Sequence, residues 1–139
     1  MRKILLTIVS MVIVVVALGQ SKTTATSAQS SDKAYMSLAT NEVNFKEIAK
    51  GDSKTMEVKF TNTGKRTLAI YEVYTNCGCT TIDWPEEPFA PGKSGVLKIT
   101  YNATEEGPFK KTIAIYSNAS NKQETIKIEG IVIEKIKRR

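Results

Sequence analysis

Most of the chain carries apolar residues at every second position, the period that sends alternate side chains to opposite faces of a β-sheet. Met56, Val58 and Phe60 alternate with charged residues, as in a strand with one face exposed to water. The same alternation predicts further strands at Leu68 and Ile70, at Leu97, Ile99 and Tyr101, at Ile113 and Ile115, and at Ile126 and Ile128, with the last strand running on to Val132.

Segments rich in turn-forming residues separate these strands. The run that ends at Phe60 is followed by Thr-Asn-Thr-Gly-Lys, residues 61–65, whose residue types tolerate left-handed backbone angles. Residues 49–52 and 90–93 each contain a glycine beside polar residues or proline. All three segments are predicted to be turns, at a spacing that suits short antiparallel strands.

The two ends of this region depart from simple alternation. Residues 38–48 predict one or two short edge strands in which Val43 and Phe45 point inward. Gly130 predicts a bulge in the last strand, beyond which the inward positions move to Ile131 and Ile133. About seven short strands without an amphipathic helix predict an all-β domain, an immunoglobulin-like β-sandwich. A small closed barrel is the alternative architecture.

The first 19 residues have the layout of a secretory signal peptide. Arg2 and Lys3 precede an apolar run from Ile4 to Leu18, and a small residue, Gly19, lies at the expected cleavage position. A helix over that run would be about 22 Å long, shorter than the roughly 30 Å hydrocarbon layer of a bilayer. We therefore expect cleavage, no stable membrane span afterwards, and a periplasmic, cell-surface or extracellular location. A retained anchor is the alternative.

Composition and charge divide the remaining chain into three parts. Residues 20–34 are rich in Ser, Thr, Ala and Gln and predict a flexible leader, because they hold almost no large apolar side chain. Residues 35–134 form the predicted domain and residues 135–139 a basic tail. The chain has a net charge of +6, but residues 35–134 contain 12 Lys or Arg and 13 Asp or Glu. The near-neutral domain argues against nucleic-acid binding.

The sequence lacks the combinations of residues that most catalytic mechanisms need. It contains no histidine, which excludes Ser-His and Cys-His pairs and histidine metal ligands. The carboxylate pairs Glu86-Glu87 and Glu105-Glu106 lie in turn-like stretches, where we expect water to keep both members charged. We therefore predict a protein that is not an enzyme and that needs no cofactor.

Cys77-Gly78-Cys79 is the chemically distinctive segment. In an extended strand the two cysteine Cα atoms would be about 6.6 Å apart, near the upper limit of about 6.8 Å for a disulfide. A bond between them would need a kink, which Gly78 permits, and the small ring would be strained and easily reduced. Three interpretations are open. The two cysteines are a structural clip or packing element, or they are a redox pair, or they supply two thiolates to Cu(I) or to a zinc site shared between chains.

The order and spacing of several segments resemble a bacterial family, the domain of unknown function 1573. These segments are Val43-Asn44-Phe45 with Ile48 and Gly51, residues 60–64, residues 76–80 (Asn-Cys-Gly-Cys-Thr), residues 91–95 (Pro-Gly-Lys-Ser-Gly), and residues 107–111 with Ser117-Asn118. The resemblance extends from about residue 41 to residue 130. It implies an exported, immunoglobulin-like domain of the cell envelope with no established role, and it brings no catalytic residue.

Two functions follow as hypotheses from these observations. The first is a non-enzymatic module that presents sheet edges and loops to another envelope protein or to surface polysaccharide. The second is a thiol redox or metal-handling protein that uses Cys77 and Cys79. Trp84 is interpreted as a cover for one end of the core, with a partner-binding anchor as the alternative. The sequence leaves the oligomeric state open.

Overall fold

A computed structural model describes residues 32–135, and these residues form eight β-strands and no helix. The strands are β1 (Met36–Leu38), β2 (Glu42–Ala49), β3 (Ser53–Asn62), β4 (Ile70–Thr75), β5 (Thr80–Asp83), β6 (Ser94–Asn102), β7 (Gly107–Ser117) and β8 (Gln123–Ile133). The predicted signal peptide, residues 20–31 of the predicted leader and residues 136–139 of the predicted tail lie outside the described residues.

The strands make two sheets that enclose one apolar core. The sheet orders are β1-β3-β6-β5 and β2-β8-β7-β4, so β8 lies between β2 and β7 although it is the last strand in the chain. This confirms the predicted β-sandwich over the closed barrel, with eight strands in place of about seven. The strand missed by the alternation pattern is β5, whose four residues include one large apolar side chain, Ile82. Pairing of Ile82 with Ile99 on β6 places β5 in the sheet.

The inward positions are those that the alternation predicts. Val43 and Phe45 on β2 are buried, and Trp84 is half-buried and packs against the edge of the core, as predicted. The two sheets contribute similar aliphatic side chains from their central strands, and these are fully buried: Val58, Leu97, Ile99, Ile113, Ile115, Ile126 and Ile128. Burial of such side chains is the main force that holds two sheets together.

The turn predicted at residues 61–65 lies later in the chain, as a bend at residues 64–66. β3 continues through Asn62, and φ is not positive at Asn62 or Gly64. The buried Asn62 side chain donates from Nδ2 to the carbonyl oxygens of Arg66 (2.8 Å) and Phe89 (2.9 Å). Its Oδ1 accepts from the N–H groups of Gly64 (3.0 Å) and Tyr35 (3.4 Å). Asn62 therefore satisfies backbone groups from three separate loops.

The glycine at position 64 is explained by close contact with another segment of the chain. Its backbone angle does not explain it. A Cβ atom on Gly64 would lie 2.3 Å from the carbonyl oxygen of Lys33. Ala34, at the end of the predicted leader, is buried, and its carbonyl oxygen accepts a hydrogen bond from the N–H of Ser120 (2.9 Å). The folded domain therefore includes residues immediately before Tyr35.

The prediction of a bulge in β8 at Gly130 is wrong. β8 pairs with β7 without interruption from Gln123 to Val132. Val132 is consequently buried, and Ile131 and Ile133, which were expected to face inward, are 41% and 36% exposed. The alternation along β8 thus continues through Gly130 without a change of face.

The extra residue lies in the neighbouring strand, β2. Asn44 pairs with Glu129 and Glu47 pairs with Ile131, so two residues of β2 oppose one residue of β8, and Lys46 adopts a φ of 58°. A Cβ at position 130 would lie 2.6 Å from the Phe109 ring and 2.9 Å from the Lys46 carbonyl oxygen. Gly130 therefore lies opposite the bulge. A glycine is needed there because the bulged backbone of β2 and an aromatic ring both approach this position.

Two predicted turns are confirmed. At residues 49–52 the N–H of Asp52 donates to the carbonyl oxygen of Ala49 (3.0 Å), and Gly51 has a φ of 85°. At residues 90–93 the N–H of Lys93 donates to the carbonyl oxygen of Ala90 (3.0 Å), and Gly92 has a φ of 80°. A positive φ explains both glycines.

The connection from β4 to β5 crosses from one sheet to the other. β4 is the last strand of one sheet and β5 the last strand of the other. Residues 76–79 join them, and four residues span at most about 14 Å, little more than the roughly 10 Å between packed sheets. The free edges of β4 and β5 therefore lie on the same side of the sandwich, and Cys77-Gly78-Cys79 lies between them.

Candidate functional site

A disulfide joins Cys77 to Cys79 on this crossing segment. The two Cα atoms are 5.2 Å apart, closer than in an extended strand, so the backbone bends as the sequence requires for such a bond. Gly78 is exposed at the apex, and a Cβ there would meet no atom within 4 Å. Since its φ is not positive either, the bend does not depend on the glycine at this position.

Backbone hydrogen bonds fix the disulfide against the sandwich. The N–H of Thr80 donates to the carbonyl oxygen of Cys77 (3.2 Å), and the N–H of Asn102 donates to the carbonyl oxygen of Cys79 (2.8 Å). Cys79 also packs against the core, while both cysteines keep part of their surface exposed. The disulfide is thus a rigid surface feature with one face inward.

A cleft of about 480 Å³ runs along the exposed side of the disulfide. Its floor includes Tyr101 and Phe109, whose rings stack at 3.7 Å. Burial raises the pKa of the Tyr101 phenol, and the negative charge of Glu105 raises it further. The far wall is the β6–β7 loop with the start of β7, which brings Glu106 and Lys110 to the rim.

Glu105 and Glu106 at the cleft are exposed, in keeping with their interpretation as solvated turn residues, and two charged side chains of the cleft lining form ion pairs. Glu106 accepts from Lys50 Nζ at 3.0 Å, and Lys110 lies 3.8 Å from Glu129. Glu86 and Glu87, which the sequence also singled out, are exposed on the segment after β5, apart from the lining of this cleft. Nothing in this arrangement shields a carboxyl group as acid catalysis requires.

A metal site has no geometric support in residues 32–135. The cysteine sulfurs are bonded to each other and are not thiolate ligands in this state. Within the same residues, no group of three or more cysteine, aspartate and glutamate side chains comes together. The disulfide state suits a structural clip or a redox pair, and the interpretation as Cu(I) ligands or as half of a zinc site shared between chains, which needs the reduced thiolates, stays a prediction.

A group of exposed tyrosines lies along β4 and the paired end of β7, and it was not predicted from the sequence. Tyr71 and Tyr74 on β4 are 67% and 55% exposed, and Tyr116 on β7 is 38% exposed. Glu72 pairs with Tyr116 and Tyr74 pairs with Ala114, so Tyr74 and Tyr116 are diagonal neighbours on the outer face of their sheet. We call Tyr71, Tyr74 and Tyr116 the tyrosine patch. The sequence did hold one sign of this group. Tyr74 follows the inward-facing Val73, so it occupies an outward strand position, where polar residues are usual.

The rest of the surface offers no comparable aromatic group among the described residues. The outer face of the other sheet is polar, with Thr55 bonded to Thr100 and Thr61 bonded to Ser94, each at 2.8 Å. In the part of the chain that the structure describes, no helical segment has the length and apolarity needed to cross a bilayer.

These features define a two-sheet, immunoglobulin-like domain in which a disulfide lies in the segment that connects the two sheets. The chain belongs to the family DUF1573, a protein of unknown function, which matches residues 36–132. The family resemblance seen in the sequence is therefore confirmed. No curated protein matches the chain.

Solved structures show the same fold at low sequence identity. A protein of unknown function from Porphyromonas gingivalis W83 matches with 18% identity and a TM-score of 0.65, over 73% of this chain and 48% of that chain, so this chain spans about half of its length. The ASH/PapD-like domain 7 of human CEP192 matches with 8% identity and a TM-score of 0.65, over 76% and 89% of the two chains. The second comparison, with a PapD-like domain, supports the immunoglobulin-like fold.

A third match comes from a protein assembly. The CsuC–CsuE chaperone–tip adhesion subunit pre-assembly complex of Acinetobacter baumannii matches with 14% identity and a TM-score of 0.52, over 71% of this chain and 52% of that chain. Secreted proteases of Vibrio cholerae also match, at 12% and 14% identity, but over 31% and 24% of their own chains. At such identities the likeness concerns the fold alone, which hosts many unrelated functions.

Proposed function

We propose that the protein is an exported, non-enzymatic module that binds another protein of the cell envelope along the side where β4 and β5 end their sheets. The observation that carries this proposal is the tyrosine patch beside the outer edge of β4. Tyrosine is enriched in protein interfaces, because it buries a large apolar area and keeps a polar group for hydrogen bonding.

The disulfide supports this assignment, because it fixes the chain where the two edges meet. A preformed surface loses less conformational entropy on binding than a mobile one. The similar fold in a chaperone–subunit complex adds support for protein as the partner class, and the layout of residues 1–19 supports export. Surface polysaccharide is the alternative partner.

Site-specific photo-crosslinking in the native host tests the proposal. A photoreactive phenylalanine analogue replaces Tyr74 in one strain and, as the matched control, the exposed Lys59 on the outer face of the other sheet in a second strain. We expect the protein in the envelope fraction, with an N-terminus at Gln20, and discrete protein adducts from position 74 but not from position 59. Equal adducts from both positions, or recovery in the cytoplasm, would contradict it.

Thiol–disulfide exchange is a second candidate, favoured by the partly exposed disulfide at the rim of a cleft. A partner thiolate would attack one sulfur, form a mixed disulfide and release the other cysteine as a thiolate. A second partner thiol would then complete the transfer of two electrons and two protons from the partner dithiol to this protein. The ring closes three residues, so loop entropy gives the bond only about 1.6 kcal/mol of stability.

Redox titration of the purified protein in glutathione buffers separates the exchange function from a structural clip. If exchange operates, a Cys79→Ser variant should trap the oxidised form of a partner, because the Cys77 thiolate attacks the partner's disulfide, releases one partner thiolate and has no second cysteine to resolve the mixed disulfide. A Cys77→Ser/Cys79→Ser variant is the control. A bond that stays oxidised in strongly reducing buffer, together with no trapped partner, would remove this candidate and leave the binding proposal intact.

A further inference from the structure

β4 has the most accessible sheet edge in the described domain. Of the other three outermost strands, β1 has three residues and β5 has four. β2 is longer, but its bulge lies in the middle of the strand, and the carbonyl oxygen of Phe45 is occupied by Lys54 Nζ at 2.5 Å. β4 also has an extra residue, Tyr71, but it lies at the start of the strand and leaves Glu72–Thr75 in regular register with β7. Within residues 32–135, no loop or side chain hydrogen-bonds to the backbone of residues 71–75 from outside the sheet. An uncovered edge of this kind can pair with another extended chain.

A basic groove continues from one end of this edge. It has a volume of about 650 Å³, and its walls include Tyr71 and Tyr116 of the tyrosine patch together with Lys33, Arg66 and Lys122. No carboxylate lines it. We call this feature the basic groove.

The basic groove carries an excess of positive charge. Asp32 approaches Arg66 at 3.4 Å, in a pair with both side chains mostly exposed. Lys33 and Lys122 form no ion pair with any other residue in the range 32–135. Exposed, unpaired cations along a concave wall attract anionic groups, and the attraction weakens with salt.

The chain itself offers no acidic segment for this groove. Residues 1–31 and 136–139 contain neither aspartate nor glutamate. The acidic pairs at residues 86–87 and 105–106 lie on other parts of the folded domain. We therefore consider another molecule as the source of the complementary charge.

We propose that β4 and the basic groove bind an extended acidic segment of another exported protein, which pairs with β4 as an added strand and places its acidic end in the groove. The proposal rests on the proposed function and specifies its partner. Glu72 lies on β4 between Tyr71 and Tyr74, so the part of the segment beside it should be neutral. A peptide suits this site better than a polysaccharide, because an open edge offers amide donors and acceptors at strand spacing.

Peptide binding to the purified exported protein tests this directly, with fluorescence anisotropy as the readout. The probe is a labelled peptide in which three aspartates precede alternating threonine and valine. One control peptide carries lysines in place of the aspartates, and another is N-methylated at alternate backbone nitrogens. We expect the acidic peptide to bind at least about tenfold more tightly than either control, and more weakly as salt rises.

Variants test whether the binding uses the named residues. Arg66→Gln/Lys122→Gln should lower the affinity for the acidic peptide at least about fivefold. Lys59→Gln/Lys98→Gln removes the same charge from the exposed face of the other sheet and should leave the affinity unchanged. Tyr74→Ala should weaken both the acidic and the lysine peptide. Unchanged melting temperatures of all these variants show that the fold is kept.

Several outcomes would overturn the inference. Equal binding of the N-methylated peptide would show simple charge attraction without strand pairing. Tight binding of polygalacturonate with no binding of the acidic peptide would indicate a polysaccharide partner. Failure of the peptides while photo-crosslinks from position 74 persist would reject the acidic segment and keep the proposed function. Loss of those crosslinks would reject the proposed function itself.

Discussion

Replacement of Asn62 by alanine tests the reasoning on the fold most sharply. Asn62 is fully buried at the end of β3, and its amide bonds to backbone groups of Arg66, Phe89, Gly64 and Tyr35. Alanine removes all four hydrogen bonds at once, and within residues 32–135 only the carbonyl oxygen of Phe89, among these four groups, keeps another partner, the N–H of Leu68 (2.8 Å). The residues involved lie on loops that converge at one end of the sandwich, so the effect should spread beyond a single turn.

The magnitude follows from the geometry. Three of the bonds are 2.8, 2.9 and 3.0 Å long, and the fourth, to Tyr35, is long at 3.4 Å. A net loss of about 1 kcal/mol for each of the three short bonds gives a free energy of unfolding lower by about 3 kcal/mol. For a domain of this size, that corresponds to a melting temperature lower by about 12–24 °C.

Urea unfolding followed by circular dichroism measures this loss. Asn62→Asp should be at least as harmful, because its carboxylate would face the carbonyl oxygens of Arg66 and Phe89 that now accept from Nδ2. Thr63→Ala, at an exposed neighbouring position, should change the free energy of unfolding by less than about 0.5 kcal/mol. A loss below about 1 kcal/mol for Asn62→Ala would refute the role assigned to this side chain.

Four further substitutions probe other parts of the domain. Thr75→Val should stabilise it by about 1 kcal/mol in urea unfolding, because the Thr75 hydroxyl is buried without a partner. Gly64→Ala should cost more than about 2 kcal/mol through its clash with the chain at Lys33, while Gly78→Ala should be neutral or slightly stabilising in a thermal melt. The raised pKa of Tyr101 means that the native state holds the phenolic proton more tightly than the unfolded chain. Its stabilisation is complete below a pH of about 10 and is lost as the pH rises through the native pKa, so Tyr101→Phe should flatten the alkaline fall in unfolding free energy.

Strand positions were predictable because each follows from a local pattern. Val58 and Phe60 alternate with charged residues, and the structure buries both. The bend at Cys77 and Cys79 also followed from local geometry, since two residues of an extended strand stand too far apart for an easy disulfide. Turns that need a positive φ, at Gly51 and Gly92, were found for the same reason.

Features set by contacts between distant segments were not predictable. Gly64 looked like a turn glycine, but its neighbours are some thirty residues earlier in the chain. Gly130 looked like the site of a bulge, and the extra residue lies opposite it, at Lys46 in β2. The tyrosine patch depends on which strand ends the sheet, and a single sequence does not show that order. The alternation pattern therefore predicts which side chains of a strand face the core, but it does not predict which strands pair with each other.

The position of β8 has a consequence for how the protein is made. Its sheet needs β8 as the partner of both β2 and β7, yet residues 123–133 leave the ribosome after all the other described strands. Glu42 in β2 can pair with Lys127 only after β8 has been synthesised. Such late, long-range closure slows folding, and this sheet stays incomplete until β8 has emerged. A stop codon before Gln123 would leave two unpaired inner edges and a product destined for proteolysis or aggregation.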